Sequence, residues 1–190
     1  KNSPTENALR KLATKFFKVE LNENLKKQIE SLDVLILDRR LVTLKPQILD
    51  FKSDLEKFVN RGGHLIVLAQ DAVSWNNNPL WEGIKLKSTI LLDETYPVQA
   101  NPEHKLLTSP NLITVEDWRG WLFRRAFNIV SAKELTQAQL PLKTEQLNTP
   151  LIVTFKEGKG NKTYIDLALG HQFMNINPGA FRLLANLISY

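Results

Sequence analysis

The sequence predicts an α/β fold in which helices cover both faces of a mostly parallel sheet, with a β-hairpin near the C-terminus. Residues 33–38 and 64–70 are continuous apolar runs, as expected of strands buried on both faces of a parallel sheet. Between them, residues 46–63 have apolar positions at helical spacing, which completes a right-handed strand–helix–strand unit. Residues 149–170 read as two alternating strands joined by a turn at residues 158–161. These three observations define the fold class.

The first thirty residues predict a helix, a strand and a second short helix. Ser3 or Thr5 can cap the first helix, and Pro4 suits its first turn. Residues 17–21 alternate in the manner of a strand, and residues 22–32 form a short polar helix or a turn.

The helix between the two buried strands has clear ends, since Pro46 opens it and the glycine pair at 62–63 ends it. The pattern beyond the second strand is less regular, with short strands or extended pieces at 83–93 and 112–118. A closing helix over 177–189 is expected to pack back on the sheet. Because no internal repeat or low-complexity linker interrupts the chain, its 190 residues are predicted to form one domain.

The composition excludes several kinds of site. There is no cysteine, which excludes a disulfide framework, a cysteine nucleophile and a thiolate zinc site. The net charge of +5 is spread over helix faces beside acidic residues, which favours a solvated basic face over nucleic-acid binding. No window is apolar enough to span a membrane. No signal peptide is predicted within residues 1–30, and because the chain begins with Lys1 rather than Met, an upstream part is expected.

Five segments resemble a known family in their order along the chain: "SLDVLILDRR", "LEKFVNRGGHLIVLAQ", "EHKLLTSPNLITVEDWRGW", "EGKGNKTYIDLALGHQF" and "PGAFRLLANLIS". Together they resemble the glutamine-amidotransferase-like domain that lies C-terminal to the catalytic domain in some bacterial PIG-L (LmbE-type) deacetylases. The resemblance extends from about residue 20 to the end, and its most specific parts are residues 110–121 and 178–187. The ending "LGHQF…NPGAF" is also similar to ThuA-like relatives of the same fold.

The resemblance implies a flavodoxin-like three-layer sandwich over residues 1–190, placed in the C-terminal part of a longer protein. Family members usually have a strand before their first helix, so that strand is expected to be missing here or to lie upstream, which could expose a sheet edge. The resemblance also implies an upstream catalytic domain as a partner, with the zinc and the catalytic aspartate in that domain. A glycan ligand, an oligomer and a periplasmic or secreted location are further expectations, whereas no cofactor is expected in this chain.

The turn after the second buried strand is the first candidate site. The resemblance implies that catalytic class I amidotransferases carry a cysteine there, on a strained elbow, paired with a histidine and a glutamate near the C-terminus. This chain has Ala69, Gln70 and Asp71 instead, so glutaminase chemistry is excluded. Ser74 is the nearest hydroxyl, but no Gly-x-Ser-x-Gly sequence surrounds it, which favours a surface or capping role.

Four residues are predicted to converge at the carboxyl edge of the sheet, where open α/β folds bind ligands. Arg40 ends the first buried strand and matches an arginine of the related domains, Gln70 and Asp71 follow the second strand, and His171 follows the last strand. Such a set could bind a carboxylate, a sugar or a partner loop. It could equally tie loops together, and this structural role is the favoured interpretation.

The histidine pattern does not indicate a metal site. Three scattered histidines show none of the usual ligand spacings, and the His-Pro-Asp-Asp type of deacetylase signature is absent. His64 enters a strand and is interpreted as structural. His104 is interpreted as a loop histidine that is hydrogen-bonded to backbone.

An aromatic segment supplies a second candidate surface. Trp118 and Trp121, with Arg119, Arg124 and Arg125 nearby, could stack on a sugar ring or a base. Tryptophans three residues apart are more often a core anchor or an interface patch, and that interpretation is favoured.

Three functions follow from these observations. The first is a non-catalytic amidotransferase-like accessory domain of a PIG-L-type deacetylase, which supports the catalytic domain, mediates assembly or helps to hold a glycan. The second is a ThuA-like carbohydrate-active hydrolase that uses His171 and Asp71. The third is a stand-alone carbohydrate-binding module built on residues 118–125. No catalytic set can be recognised in the sequence, so enzymatic activity of this chain is left open.

Overall fold

The computed structural model describes residues 2–88, 97–122, 124, 126, 128–132, 137–145 and 148–190. The α-helices of these ranges are α1 (Pro4–Lys11), α2 (Leu25–Glu30), α3 (Leu41–Leu44), α4 (Lys52–Asn60), α5 (Ala72–Asn77), α6 (Lys105–Thr108), α7 (Leu169–Met174) and α8 (Pro178–Ser189). Two 3-10 helices span Pro46–Phe51 and Val115–Trp118. The strands are β1 (Val34–Leu37), β2 (His64–Leu68), β3 (Lys85–Ser88), β4 (Val98–Ala100), β5 (Asn128–Ser131), β6 (Gln139–Thr144), β7 (Pro150–Glu157) and β8 (Gly160–Ile165).

A six-stranded sheet with the order β1-β2-β8-β7-β6-β4 forms the centre of the molecule. β1, β2 and β8 pair in parallel, whereas β7, β6 and β4 each pair antiparallel with the preceding strand in that order. Four of the six strands, β1, β2, β8 and β6, therefore run in the same direction. β3 and β5 form a separate antiparallel pair. The predicted α/β class is confirmed, and the arrangement is compatible with a flavodoxin-like sandwich.

The most regular parts of the sequence fold as predicted. β1, α4 and β2 form the predicted parallel unit, with Val34 opposite His64 in the register. β7 and β8 form the predicted hairpin, which turns at Gly158 with a positive φ of 59°. The helix predicted from Pro46 is divided, since a 3-10 turn precedes α4. Residues 89–93 of a predicted strand lie outside the described residues.

Two apolar cores lie on opposite faces of the sheet because successive side chains of a strand point to opposite sides. Ile66 and Leu68 of β2 belong to the first core, together with residues of α1, α7 and α8. Leu65 and Val67 belong to the second core, with residues of α2, α4 and α5. β2 is buried along its whole length, which explains its continuous apolar sequence.

The prediction of a strand at residues 17–21 is wrong, since the structure has neither helix nor strand there. The stretch of residues 12–24, which we name the crossing segment, passes the outer side of the edge strand β1. Phe16 packs against the first core, whereas Val19 and Leu21 pack against the second. Between this segment and β1 lies a cavity of about 790 Å³. Within residues 17–21, the half-buried Val19 and Leu21 both contact the second core and alternate with the exposed Lys18 and Glu20, although this stretch forms no strand.

Gly179 lies at the second position of α8, against the 3-10 helix Val115–Trp118. A Cβ added at this glycine would overlap the backbone of Asp117. Gly179→Ala is therefore expected to lower the free energy of unfolding by about 1–3 kcal/mol, the usual cost of overpacking. Urea denaturation measures the change, with Gly170→Ala as the matched helical control. A Cβ at Gly170 would meet Pro4 at an ordinary 3.8 Å, so equal destabilisation by both substitutions would contradict the packing argument.

Candidate functional site

The elbow predicted from the sequence connects the carboxyl end of β2 to α5. Ala69 and Gln70 are buried there, and Asp71 is half-buried. The Asp71 carboxylate accepts hydrogen bonds from the backbone N–H groups of Val73 (3.1 Å) and Ser74 (3.3 Å). Asp71 therefore caps α5 and satisfies N–H groups that a helix N-terminus otherwise leaves without a partner.

The Gln70 side chain belongs to the elbow, Ala69 to Asp71, where the resemblance implies a catalytic thiol. It is 0% exposed, and its Oε1 accepts a hydrogen bond from the Val42 N–H at 3.0 Å. Its Nε2 donates to the carbonyl of Asp38 at 3.0 Å and also to the carbonyl of Leu68. The amide thus joins the end of β1, the start of α3 and the end of β2. Its contacts are those of a buried structural group.

A buried polar network lies directly beneath the elbow. The Gln70 N–H donates to Tyr164 Oη at 3.0 Å. Asn128 Nδ2 donates to the Gln70 carbonyl at 2.8 Å and to Asp166 Oδ1 at 3.0 Å, and the Asn128 N–H donates to Asp166 Oδ2 at 3.1 Å. All four residues are 0% exposed. The network ties the parallel strands β2 and β8 to β5.

The chemistry of this network is that of a fixed scaffold. Burial, and then the nearby Asp166 carboxylate, raise the pKa of the Tyr164 hydroxyl well above its ordinary value. The hydroxyl therefore stays protonated at neutral pH and does not act as a base. Sequence reasoning missed Tyr164, Asp166 and Asn128. For Tyr164 and Asp166 the available signal was their polar groups in the otherwise apolar run at and just after the end of β8.

Arg40 and His171 both follow strands at the carboxyl edge of the sheet, but Arg40 is exposed and His171 is half-buried. Arg40 is exposed and precedes α3 with a left-handed φ of 59°. Its backbone N–H donates to the Ala69 carbonyl at 3.0 Å, which holds the Arg40 backbone beside the elbow. His171 is half-buried on α7, the helix that follows β8 and packs against α1. The Arg40 backbone thus lies beside Gln70 and Asp71, whereas His171 lies on α7, after β8.

The two tryptophans of the aromatic segment lie inside the first core. Trp118 is 5% exposed and Trp121 is 4% exposed, with ring centroids 5.0 Å apart. Trp121 Nε1 donates to the Asp117 carbonyl at 2.8 Å, so the polar atom of its ring is satisfied. These rings offer little surface on which a sugar could stack. Arg125 lies outside the described residues.

His64 and His104 lie on either side of Tyr190. The His64 ring is 5.4 Å from the Tyr190 ring and its Nε2 is 2.8 Å from Thr163 Oγ1. Burial lowers the pKa of His64 to about 4. His104 Nδ1 accepts a hydrogen bond from the Leu106 N–H at 3.2 Å, and burial also lowers the pKa of His104. Both histidines are neutral packing groups at neutral pH.

The described ranges contain no group of three or more His, Cys, Asp or Glu side chains that could hold a metal ion. None of the helices described above combines the length and apolar character needed to cross a membrane.

Comparison with known proteins relates this geometry to solved structures. No family model matches the chain, and no curated protein matches its sequence. The cytoplasmic protein STM3548 from Salmonella typhimurium is similar in structure, with 14% identity and a TM-score of 0.61 over 100% of this chain and 87% of that one. A putative GMP synthase subunit from Thermoplasma acidophilum gives 11% identity and a TM-score of 0.60, over 98% of this chain and 85% of that one. The chain has a glutamine-amidotransferase-like fold.

The same amidotransferase-like fold is also similar to part of a much longer protein. A β-galactosidase from Bacillus circulans sp. alkalophilus matches 98% of this chain with 15% identity and a TM-score of 0.57. The match covers 26% of the β-galactosidase, so this chain spans about a quarter of its length. At these identities the comparisons show the fold alone.

Proposed function

We propose that this chain is a non-catalytic amidotransferase-like accessory domain that acts beside a catalytic domain of the PIG-L deacetylase type. The observation that carries this proposal is the state of Gln70. Gln70, in the middle of the elbow, has a fully buried amide whose oxygen and nitrogen are both hydrogen-bonded to backbone. An attacking group has to reach its substrate, and this side chain is enclosed.

The neighbouring groups offer no replacement nucleophile. The Ser74 hydroxyl is half-buried and accepts a hydrogen bond from Thr43 Oγ1 at 2.9 Å. A base beside a serine has to accept the proton of that serine, and the contact described for Ser74 is with a hydroxyl. The chain has no cysteine at all. The fold is therefore retained without the cysteine that amidotransferase chemistry needs.

Two further observations support the accessory role. The similarity to about a quarter of a β-galactosidase indicates that this fold can form part of a long carbohydrate-active enzyme. The resemblance of residues 110–121 and 178–187 to the PIG-L-associated domain supports a deacetylase as the larger protein. A glycan substrate is then held mainly by the catalytic domain, because the buried tryptophans of this chain leave little stacking surface.

The geometry gives less support to the hydrolase and to the carbohydrate-binding module. The hydrolase would use the Asp71 carboxylate, which already caps α5. The module would rest on Trp118 and Trp121, whose rings lie in the core.

Activity assays test the proposal directly. The purified chain is expected to show no turnover of glutamine, of sugar acetate esters or of N-acetylglucosaminides. Reading the coding sequence upstream of Lys1 is expected to reveal a His-Pro-Asp-Asp type of run, and the native protein is expected to exceed 21.7 kDa. Turnover by the purified chain that disappears in His171→Ala would instead establish the hydrolase.

A further inference from the structure

The cavity between β1 and the crossing segment lies where one more strand of the sheet would lie. β1 is the edge strand of the six-stranded sheet, and the crossing segment passes on its outer side. Leu9 and Phe16 line the cavity on the side of the first core, and Leu25 and Ile48 line it on the side of the second core. Because the two cores lie on opposite faces of the sheet, the cavity extends through the plane of the sheet.

The size of the cavity is close to that of one short strand. A strand that pairs with the four residues of β1 is ~13 Å long, and it occupies ~4.8 Å in the direction of the hydrogen bonds and ~10 Å between the faces of the sheet. These dimensions give a volume of roughly 600 Å³. The cavity, with about 790 Å³, therefore has room for one such strand and is too small for two.

Backbone groups of β1 point into this cavity. Val34 lies opposite His64 in the parallel register, and the His64 N–H donates to the Asp33 carbonyl at 2.8 Å. In a parallel ladder with this register, Leu35 bonds to β2, whereas the N–H and C=O groups of Val34 and Ile36 point away from β2. Among the residues that the structure describes, none offers these groups a hydrogen bond. They form the pattern of donors and acceptors that an added strand would pair with.

The start of α1 fixes the direction of a strand in this cavity. Thr5 Oγ1 donates to the carboxylate of Asp38 at 2.8 Å, and Asp38 directly follows β1. Ser3 and Thr5 both line the cavity, so the polypeptide that leads into α1 arrives at the carboxyl end of β1. A strand that runs parallel to β1 ends at this place, within the ~2–6 residues that usually connect a strand to a helix. An antiparallel strand would end at the opposite end of β1.

We propose that this cavity is the binding site of one β-strand, which runs parallel to β1 and is formed by residues that precede Lys1 in the same polypeptide. The inference rests on one part of the proposed function, namely that the chain belongs to a longer protein. The backbone of the strand pairs with Val34 and Ile36, and its side chains alternate between the two cores. An apolar sequence is therefore required on both of its faces.

Other occupants satisfy fewer of these conditions. A small apolar ligand would fill the volume but leave the backbone groups of Val34 and Ile36 without partners. A strand from a second copy would have to pass beneath the crossing segment. Lys18 of that segment pairs at 2.8 Å with Glu6 of α1, whose side chain is 8% exposed. A strand that continues directly into α1 reaches the cavity without displacing this ion pair.

Hydrogen exchange, followed for each amide by NMR, tests the proposal on two chains. One is the chain of 190 residues, and the other is extended by the ~15 residues that its natural coding sequence places before Lys1, enough for a strand and a connection. In the shorter chain, Val34 and Ile36 are expected to exchange much faster than Leu35 and Leu37. In the extended chain this difference should shrink by about 100-fold or more. A Gly-Ser repeat of the same length in place of the upstream residues should leave the difference unchanged.

Ile36→Pro tests the same pairing through thermal unfolding. The proline removes an N–H that points away from β2, so the substitution is tolerated at an edge but blocks an added strand. The extended chain is expected to have a Tm higher than that of the shorter chain by ~4 °C or more. Ile36→Pro should abolish most of this difference, because it prevents the gain in the extended chain alone.

Three results overturn the proposal: upstream residues without an apolar run of strand length, unchanged exchange of Val34 and Ile36 in the extended chain, or equal protection by the Gly-Ser repeat. Protection of these amides in the shorter chain only at high protein concentration would assign the site to a second copy and also overturn it. The upstream sequence keeps the two proposals apart. A His-Pro-Asp-Asp type of run without the strand would leave the accessory role standing, and a strand without that run would do the reverse.

Discussion

Gln70→Leu is expected to lower the free energy of unfolding by about 3–5 kcal/mol, since at least two buried backbone groups lose their partner at roughly 1–3 kcal/mol each. The Val42 N–H and the Asp38 carbonyl both bond to the Gln70 side chain. Leucine has a similar size and offers neither a donor nor an acceptor. Chemical denaturation monitored by tryptophan fluorescence measures the loss, because Trp75 lies buried in the second core.

Ser74→Ala serves as the control for this substitution. It removes a hydroxyl from α5, which follows the elbow, and the contact of this hydroxyl with Thr43 is near the surface. The free energy of unfolding is therefore expected to change by no more than about 0.5 kcal/mol. If Gln70→Leu left the free energy of unfolding unchanged but abolished turnover of a substrate by the wild-type chain, the structural interpretation of the elbow would be wrong.

Acidification is expected to destabilise the protein between about pH 6.5 and pH 4, with His64 as a main contributor. The folded protein holds this ring neutral with a pKa of about 4, lowered by burial from an ordinary 6.5. Below pH 6.5 the unfolded chain binds a proton that the folded chain rejects, so stability falls as the pH falls and levels off below pH 4. At 1.36 kcal/mol per pKa unit, the loss is on the order of 3 kcal/mol.

The comparison of wild type with His64→Leu isolates this effect from that of the carboxylates. Urea denaturation at several pH values between 4 and 7 should show a smaller acid loss in the variant, by about the amount above. His104 acts in the same direction, since burial lowers its pKa as well. Parallel stability curves for wild type and variant would show that His64 is not neutral and buried as described.

The sequence predicted the fold best where the pattern that identifies a strand or helix lies within the residues of that strand or helix. The continuous apolar runs of β1 and β2 follow from burial on both faces, and the hairpin of β7 and β8 follows from alternation around Gly158. Residues 17–21 of the crossing segment were mistaken for a strand because Val19 and Leu21 pack on one core and alternate with exposed residues, as the residues of a strand would. The prediction of a strand or extended piece over residues 112–118 is wrong for Val115–Trp118, which forms a 3-10 turn. The signal was the capping-box spacing of Thr114 and Asp117, and the Thr114 N–H does donate to the Asp117 carboxylate at 2.8 Å.

The sequence could locate the candidate site but could not predict what each of its residues contacts. The end of β2 marks the elbow, so Gln70 and Asp71 could be named in advance. The role of Gln70 depends on Val42, Asn128 and Tyr164, which lie 28 to 94 positions away from it in the chain. Such distant pairs leave no periodic trace in one sequence, and only the tertiary structure reveals them.

The crossing segment has a consequence for how copies of this protein can meet. An uncovered edge strand is a template on which other chains add strands without limit and form fibrils. Here Lys15 and Lys18 lie on the stretch that passes the open side of β1, and lysine at an edge is a common protection against such growth. The crossing segment and its two lysines thus lie on the side of β1 where another chain would have to add a strand.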